Sequence, residues 1–278
     1  MATALEDELG DILAKARDGK FWSQRDLAEA VGLPLEKVKA IESCQSVPDD
    51  EVVRKLAGAL DLHAPSLVDI ARGAWAPNPP VYGDADFDLF RVDAFMGVYP
   101  VKCYLVRCKK TGSTAVVDTG ASPELVVKKA AGLGWSVSKI LLTHSHPDHA
   151  GGLQALDRAF DCPAWIDRAE PRPSGSRDLR LVGDGDVVEL GRLKIHCLST
   201  PGHTPGGVSY RINNTVLSGD VIFAGSMGRA NSSWMDLFRS VAGKLLALPE
   251  DAILCPGHGP ATTVGEEKRH NPFFCGKV

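Results

Sequence analysis

Residues 143–152 read THSHPDHAGG, and this stretch carries the strongest indication of both fold and chemistry. Within six positions it places three histidines and one aspartate, namely His144, His146, Asp148 and His149. Four such side chains in one short turn make a poor hydrophobic core and an unusual surface. Imidazole nitrogen and carboxylate oxygen are ligands that zinc, iron and manganese accept, and no thiolate is present in the group. The stretch therefore predicts a metal site.

The other candidate ligands also follow predicted strands. SKILLT runs into His144, HCLSTPG into His203, TVLSG into Asp220 and AILCPG into His258. Because a rigid sheet holds the end of each strand while the following turn exposes its side chains, we expect these residues to converge on one site. Seven ligands exceed what one tetrahedral ion binds, so the set favours two divalent ions that share a carboxylate. Zinc is favoured, with iron or manganese as alternatives.

The composition is that of an ordinary globular protein. The chain has 278 residues, of which 44% are hydrophobic and 24% are charged. It has no run of about eighteen apolar residues and no secretion signal at its N-terminus, so we expect no membrane span and a cytoplasmic location. The seven cysteines form no CxxC pair, which favours reduced thiols.

The chain divides into an all-helical part at residues 1–74 and a mixed part at residues 85–278. Helical spacing in SQRDLAEAV and LEKVKAIE gives way to short β-branched runs after a proline-rich linker at 75–84. The mixed part alternates these strands with helical patterns, which is typical of sheets covered by helices. Residues 1–74 hold nine basic and fourteen acidic residues, a net charge of −5, whereas the remainder, with 22 and 21, has +1.

The turns that carry the candidate ligands resemble the motifs of the metallo-β-lactamase superfamily. They read THSHPDH, TPGHTPGG, SGDVIF and PGHGP, in the order and spacing of that family. The resemblance covers roughly residues 85–278 and implies an α/β fold, a four-layer αββα sandwich with the metals at one edge of its two sheets. It also implies a first ion bound by His144, His146 and His203, a second bound by Asp148, His149 and His258, and a bridging carboxylate at Asp220.

Within that superfamily, the chain is most similar to the short glyoxalase II-like hydrolases. The similarity is carried by TPGHTPGG, SGDVIF and the ending PGHGPATTVGEEKRHNPF. It implies a thioester hydrolase with a small hydroxyacylglutathione-like substrate, in which a metal-bound hydroxide oriented by Asp148 attacks the carbonyl carbon. Arg229 follows the bridging strand and is a candidate contact for an anionic substrate.

Two alternatives stay open. Persulfide dioxygenases share the same turns but hold one iron, here through His144, His203 and Asp220. That branch usually has an aspartate where this chain has Asn231. The second alternative is a DNA-binding regulator whose metal-containing domain is a sensor. A sensor need not retain Asp148, so the complete ligand set favours the enzyme.

The N-terminal helices resemble the Cro/repressor-type helix-turn-helix domain over roughly residues 9–73. The resemblance is carried by SQRDLAEAVGLPLEKVKAIES and the following VPDDEVVRKLAGALDL, and it implies a recognition helix that begins near Leu35. Candidate DNA contacts are Gln24, Lys37 and Lys39. A net charge of −5 opposes phosphate binding, so DNA is disfavoured as a partner. A role in homodimer formation, or in packing on the hydrolase, is preferred.

Overall fold

The computed structural model describes residues 4–278 and begins with a group of helices. Ser23 caps the second of these helices, since its Oγ accepts a hydrogen bond from the Asp26 N–H at 3.2 Å. Gly32 ends that helix in the left-handed conformation, at a φ of 68°. The helices are α1 (Leu9–Gly19), α2 (Gln24–Val31), α3 (Leu35–Glu42), α4 (Asp50–Ala59) and α5 (Ala64–Ala71). Their assignment as a helix-turn-helix domain stays a prediction.

A first sheet of six strands follows residues 74–84, which form neither helix nor strand. Its first three strands are antiparallel, and the later ones pair in parallel, with helices connecting β3 to β4 and β4 to β5. In spatial order they are β1 (Phe87–Met96), β2 (Tyr99–Cys108), β3 (Thr114–Val117), β4 (Val137–Leu141), β5 (Ala164–Asp167) and β6 (Leu179–Val182). The connecting helices are α6 (Pro123–Gly132), α7 (Pro147–Ala150) and α8 (Leu153–Phe160).

The second sheet also has six strands and is mostly antiparallel. It contains β7 (Val187–Leu190), β8 (Leu193–Ser199), β9 (Val208–Ile212), β10 (Thr215–Gly219), β13 (Ile253–Pro256) and β14 (Thr262–Thr263). A small hairpin, β11 (Ile222–Phe223) and β12 (Ser226–Met227), follows β10. The remaining helices are α9 (Trp234–Ser240), a π-helical turn at Val241–Leu245 and α10 (Val264–His270).

Three apolar clusters hold these layers together. Tyr104 and Val106 of the first sheet meet Tyr210 and Leu217 of the second in the core between the sheets. Helices α6 and α8 cover the outer face of the first sheet. Helices α9 and α10 lie on the outer face of the second sheet, together with the N-terminal helices. The four-layer α/β sandwich expected from the sequence is confirmed.

The N-terminal helices share a continuous apolar core with the sandwich. Leu13 and Leu67 belong to the same buried cluster as Leu237 and Phe274. Helix α1 is also tied to the β11–β12 hairpin, because Lys15 Nζ donates a hydrogen bond to the Met227 carbonyl at 2.8 Å. Within residues 4–278 we find no helix with the length and apolar character that crossing a bilayer requires.

Candidate metal centre

Three histidines form the first of two ligand groups at one edge of the sandwich. His144 and His146 follow β4 of the first sheet, whereas His203 follows β8 of the second. Their ring nitrogens face one another: His146 Nδ1 lies 3.1 Å from His144 Nε2 and 3.0 Å from His203 Nε2. The two sheets thus present three nitrogens to one point, which suits a tetrahedral ion.

The second ligand group contains two carboxylates and two imidazoles, from Asp148, His149, Asp220 and His258. His258 Nε2 lies 3.2 Å from Asp148 Oδ2, and His149 Nε2 lies 3.2 Å from Asp220 Oδ1. Within each group, the candidate ligand atoms all lie within 4.8 Å of one another. Two nitrogens and two oxygens at this spacing can hold a second divalent ion.

Asp220 stands between the two ligand groups. Its Oδ1 lies 3.2 Å from His149 Nε2 of the second group, and its Oδ2 lies 3.7 Å from His203 Nε2 of the first. Glycines leave room around it: a Cβ on Gly228 would lie 1.8 Å from the Asp220 carbonyl oxygen, and one on Gly257 would lie 2.4 Å from Asp220 Oδ1. One carboxylate therefore reaches both groups, as a shared ligand must.

Two buried atoms of the site have no hydrogen-bond partner among residues 4–278. They are His149 Nε2 and Asp220 Oδ1, which face each other across the second group. Leaving a buried polar group unsatisfied costs about 1–3 kcal/mol, and more when it is charged. A divalent ion would satisfy both atoms, and nitrogen and carboxylate oxygen are donors that such ions accept. The residues present therefore fit the metals that the sequence predicts.

Hydrogen bonds behind the imidazoles turn the metal-facing nitrogens into the site. His203 Nδ1 donates to the Arg229 carbonyl at 2.7 Å, and His258 Nδ1 donates to the Pro100 carbonyl at 2.7 Å. Because a carbonyl oxygen only accepts, the proton of each neutral ring lies on Nδ1. Nε2 then keeps the free electron pair that a metal ion requires.

Asp118 orients His149, and the sequence did not reveal this role. Asp118 Oδ2 accepts a hydrogen bond from His149 Nδ1 at 2.8 Å, while the Thr143 N–H donates to Asp118 Oδ1 at 2.8 Å. The residue has a left-handed φ of 59°. Asp118 directly follows β3, just as the candidate ligands follow their own strands. This position could have marked it as a residue of the site.

Glu170 joins the two turns that carry the first ligand group. Its Oε1 accepts a hydrogen bond from the Ser145 N–H at 3.0 Å, and its Oε2 accepts one from the Gly206 N–H at 2.9 Å. The side chain is buried. Nothing in the surrounding RAEPRP distinguishes it from a surface glutamate, because its partners come together only in the tertiary structure.

Opposite charges within the second ligand group shift one another's pKa values. Although burial acts to raise it, the pKa of Asp220 lies well below its usual range because His149 and His258 face it. Burial acts to lower the pKa of His258, but hydrogen bonds to Asp148 and Asp220 raise it to about 10. A metal ion that binds here therefore displaces protons from the imidazoles.

The side chain of Arg229 points away from the ligand groups. Its Nη1 lies 3.3 Å from Asp18 Oδ2, and the side chain is 54% exposed. Only the Arg229 carbonyl contacts a candidate ligand, through its hydrogen bond with His203. The predicted contact with an anionic substrate therefore has no support from the position of the guanidinium.

Two of the three predicted DNA contacts are engaged by acidic side chains of helix α3. Gln24 Nε2 donates to Glu42 Oε2 at 2.9 Å, and Lys39 Nζ lies 2.8 Å from Glu36 Oε1. Lys37 is exposed. The structure thus leaves Lys37 as the freest of the three groups to meet a phosphate.

A family model described as the metallo-beta-lactamase superfamily matches residues 96–258, more than half of the chain. The chain belongs to this superfamily. The match spans every candidate ligand from His144 to His258, and it confirms the resemblance found in the ligand turns. Residues 4–95, which include the N-terminal helices, lie outside it.

Curated relatives within the superfamily include metallo-hydrolases. The chain is 34% identical over 204 residues to the probable metallo-hydrolase YqgX of Bacillus subtilis, covering 65% of this chain and 96% of YqgX. It is 28% identical over 207 residues to the hydroxyacylglutathione hydrolase GloC of Haemophilus influenzae, covering 65% of this chain and 98% of GloC. The chain is therefore a metalloenzyme of this superfamily of hydrolases.

Solved structures agree with this fold. TTHA1623, solved in a di-iron-bound form, is 31% identical with a TM-score of 0.58, covering 66% of this chain and 99% of that one. ETHE1 from Myxococcus xanthus is 27% identical with a TM-score of 0.59, covering 68% of this chain and 86% of that one. A site for two metals is thus known in a protein of similar architecture, whereas the identity of the metal is not fixed by these similarities.

Proposed function

We propose that this protein hydrolyses a thioester of the hydroxyacylglutathione type at a centre of two divalent ions. One observation carries the proposal: both ligand groups are complete, and Asp220 reaches each of them. A dioxygenase would hold a single iron through His144, His203 and Asp220, and that branch usually has an aspartate where this chain has Asn231. The name of the relative GloC supports the choice of a hydroxyacylglutathione. Zinc is the preferred metal, and the di-iron form of TTHA1623 supports iron as the alternative.

The proposed roles of the ligands follow from the two groups. Two divalent ions held by these residues would acidify water and polarise the carbonyl that is attacked. The protein contributes donors that are already aimed, since backbone carbonyls hold His203 and His258 by their Nδ1 protons. The first ion would be held by His144, His146 and His203 and the second by Asp148, His149 and His258, with Asp220 shared.

Asp148 is the residue that we assign to orienting the attacking water and accepting its proton. Its side chain is 18% exposed, whereas that of His149 is fully buried, so Asp148 is the more accessible to water. Burial acts to raise the pKa of Asp148, but the hydrogen bond from His258 and the charge of His149 lower it. The carboxylate is therefore ionised at neutral pH and able to accept a proton.

Metal analysis combined with two activity assays tests this function. We expect two ions per chain and release of thiol from S-lactoylglutathione. One iron per chain, with oxygen uptake on glutathione persulfide, would establish the dioxygenase instead. Protein without metal and without turnover would support the regulator.

Asp148→Asn tests the assigned catalytic residue. The substitution keeps the shape but removes the charge, so kcat should fall by about 10²-fold or more. Asp178→Asn, at an exposed carboxylate that pairs with Arg180 outside the site, is the matched control and should leave kcat unchanged. Full activity in Asp148→Asn would remove Asp148 from the mechanism.

We also propose that the N-terminal helices are a fixed part of the hydrolase and do not bind DNA. The apolar cluster that Leu13 and Leu67 share with Leu237 supports this, as does the acidic charge of residues 1–74. An electrophoretic shift assay with random and genomic DNA at low salt tests it. Absence of a shift is expected, and tight binding would overturn this role.

A further inference from the structure

Strand β2 carries a lysine where its alternation calls for an apolar side chain. Tyr104 and Val106 face the core between the two sheets. Since side chains two residues apart share a face, Lys102 belongs to the same inner face. It lies in the first half of β2 and next to the metal centre, because its N–H donates to the carbonyl of Gly257 at 2.8 Å, one residue before His258.

The ammonium of Lys102 has no hydrogen-bond or ion-pair partner among residues 4–278, although the residue is only 8% exposed. Asp93 is its cross-strand neighbour. That carboxylate is taken by Arg91, whose Nε lies 3.0 Å from Asp93 Oδ1. Lysine is almost never buried to this degree without a partner, since a buried charge is costly. An unpaired ammonium at this position points to a ligand.

The backbone contact with Gly257 places Lys102 beside the turn that carries His258. Burial and Arg91 lower its pKa to about 8, while Asp93, Glu6 and Asp220 act to raise it. The group therefore remains mostly protonated at neutral pH and lies within electrostatic reach of Asp220. It is a cation set beside the ligand groups.

The N-terminal segment contacts the turn that carries His258 from another side. Glu6 packs on the turn that follows His258, because a Cβ on Gly259 would lie 2.8 Å from Glu6 Cβ. The charge of Glu6 acts on both His258 and Lys102. Strand β2 and the residues that precede α1 thus both contact the turn that carries His258.

We propose that Lys102 recognises a carboxylate of the substrate and fixes it beside the metal centre. This role deepens the proposed function. That the substrate is a thioester rests on the proposed function, whereas the carboxylate on the substrate is inferred from Lys102. A single unpaired ammonium suits one small anionic group, and a charge-assisted hydrogen bond is stronger than a neutral one. The substrate class is then a thioester that carries a carboxylate.

Two small thiols that differ in one group test this role. 3-Mercaptopropionate and 3-mercaptopropan-1-ol present the same thiol to the metals, but only the first carries a carboxylate. Their dissociation constants for the metal-loaded full chain are measured by isothermal titration calorimetry. We expect wild-type protein to prefer the carboxylate by roughly tenfold to a hundredfold. Wild-type protein without this preference would overturn the role, before any variant is made.

Substitutions then assign the preference to Lys102. Lys102→Met keeps the length of the side chain and should bind both thiols equally, whereas Lys102→Arg should keep part of the preference. Lys194→Met is the matched control: it removes the same charge from an exposed lysine on β8 and should behave as wild type. Metal content and melting temperature establish that each variant is folded. An unchanged preference in Lys102→Met would exclude the role.

Because the titration measures binding, its result is separable from the outcome for the proposed function. Loss of the preference in Lys102→Met, in a protein that does not cleave S-lactoylglutathione, would leave the anion site standing and remove the thioesterase. Cleavage of S-lactoylglutathione, together with an unchanged preference in Lys102→Met, would support the thioesterase and remove the anion site.

Discussion

Asp220 and Glu267 are both buried carboxylates, but their surroundings differ. Asp220 lies at the metal edge, faces imidazoles, and its Oδ1 has no hydrogen-bond partner in the described part of the chain. Glu267 lies on α10, behind the second sheet. Its Oε1 accepts a bond from Thr262 Oγ1 at 2.7 Å, and its Oε2 accepts bonds from the Gly225 N–H and Asn271 Nδ2 at 3.0 and 2.8 Å.

The titration of the two carboxylates differs accordingly. Burial raises the pKa of Glu267 to about 7, because its hydrogen-bond donors are neutral and only partly offset the loss of water. Burial also opposes the ionisation of Asp220, yet two imidazoles hold the pKa of that residue well below its usual range. A buried carboxylate with every oxygen satisfied by neutral donors serves the fold, whereas one with an unsatisfied oxygen among imidazoles indicates a ligand site.

Asp220→Ala should give the largest effect on the functional side of this comparison. Removal of the shared carboxylate should lower metal content from two ions to one or none per chain and reduce kcat by roughly 10³-fold or more. Elemental analysis and thioesterase assays measure both quantities. A variant that retains two metals and full turnover would show that Asp220 is not shared.

Glu267→Gln tests the structural side, because the amide does not titrate: its oxygen can accept from the Gly225 N–H and Asn271 Nδ2 while its NH2 donates to Thr262 Oγ1. With a folded pKa of about 7 against an ordinary 4.5, the stabilising contribution of Glu267 is complete below about pH 4.5 and is lost as the pH rises to about 7. The free energy of unfolding of the variant should therefore rise relative to that of wild type over this pH range, by on the order of 3 kcal/mol. Urea unfolding at several pH values measures the difference; a constant difference would contradict it. Metal content should not change.

Asp118→Ala should have an intermediate effect. Without its carboxylate, His149 loses the group that orients its ring, and metal affinity should fall by about 10–100-fold. Competition with a metal chelator measures the affinity. Asp184→Ala, which removes a surface carboxylate paired with Lys244, is the matched control. Equal affinities in the two variants would show that Asp118 does not support the site.

Arg229→Ala should have the smallest effect. The guanidinium forms an exposed pair with Asp18, and such pairs contribute roughly 0–1 kcal/mol to stability. We expect kcat/KM to change by less than about threefold, since the backbone carbonyl that holds His203 is retained. A large rise in KM with unchanged kcat would instead support the contact with an anionic substrate that the sequence suggested.

The sequence predicted the parts of the site that are local. His144 and His146 share one turn, and His203, Asp220 and His258 each follow a strand in a glycine- or proline-rich turn, so residue type and spacing sufficed. Asp118 and Glu170 were missed because their partners are distant along the chain, and Lys102 was missed because its burial becomes visible only in the folded chain. Asp118 acts on a ligand of the next strand, and Glu170 connects turns that meet only in three dimensions.

The sequence by itself therefore determined that this protein carries candidate metal ligands at strand ends, and its family resemblance implied the four-layer sandwich that follows the helices. The resemblance implied that Asp220 joins the two ligand groups, but only the tertiary structure gave the 3.2 Å and 3.7 Å separations of Asp220 from His149 and His203, because these depend on how strands from both sheets pack. The tertiary structure also decided that the N-terminal helices bury Leu13 against the sandwich and that Lys102 is a cation without a partner. Spacing along a chain encodes local geometry, whereas burial and the pairing of charges depend on neighbours that only folding brings together.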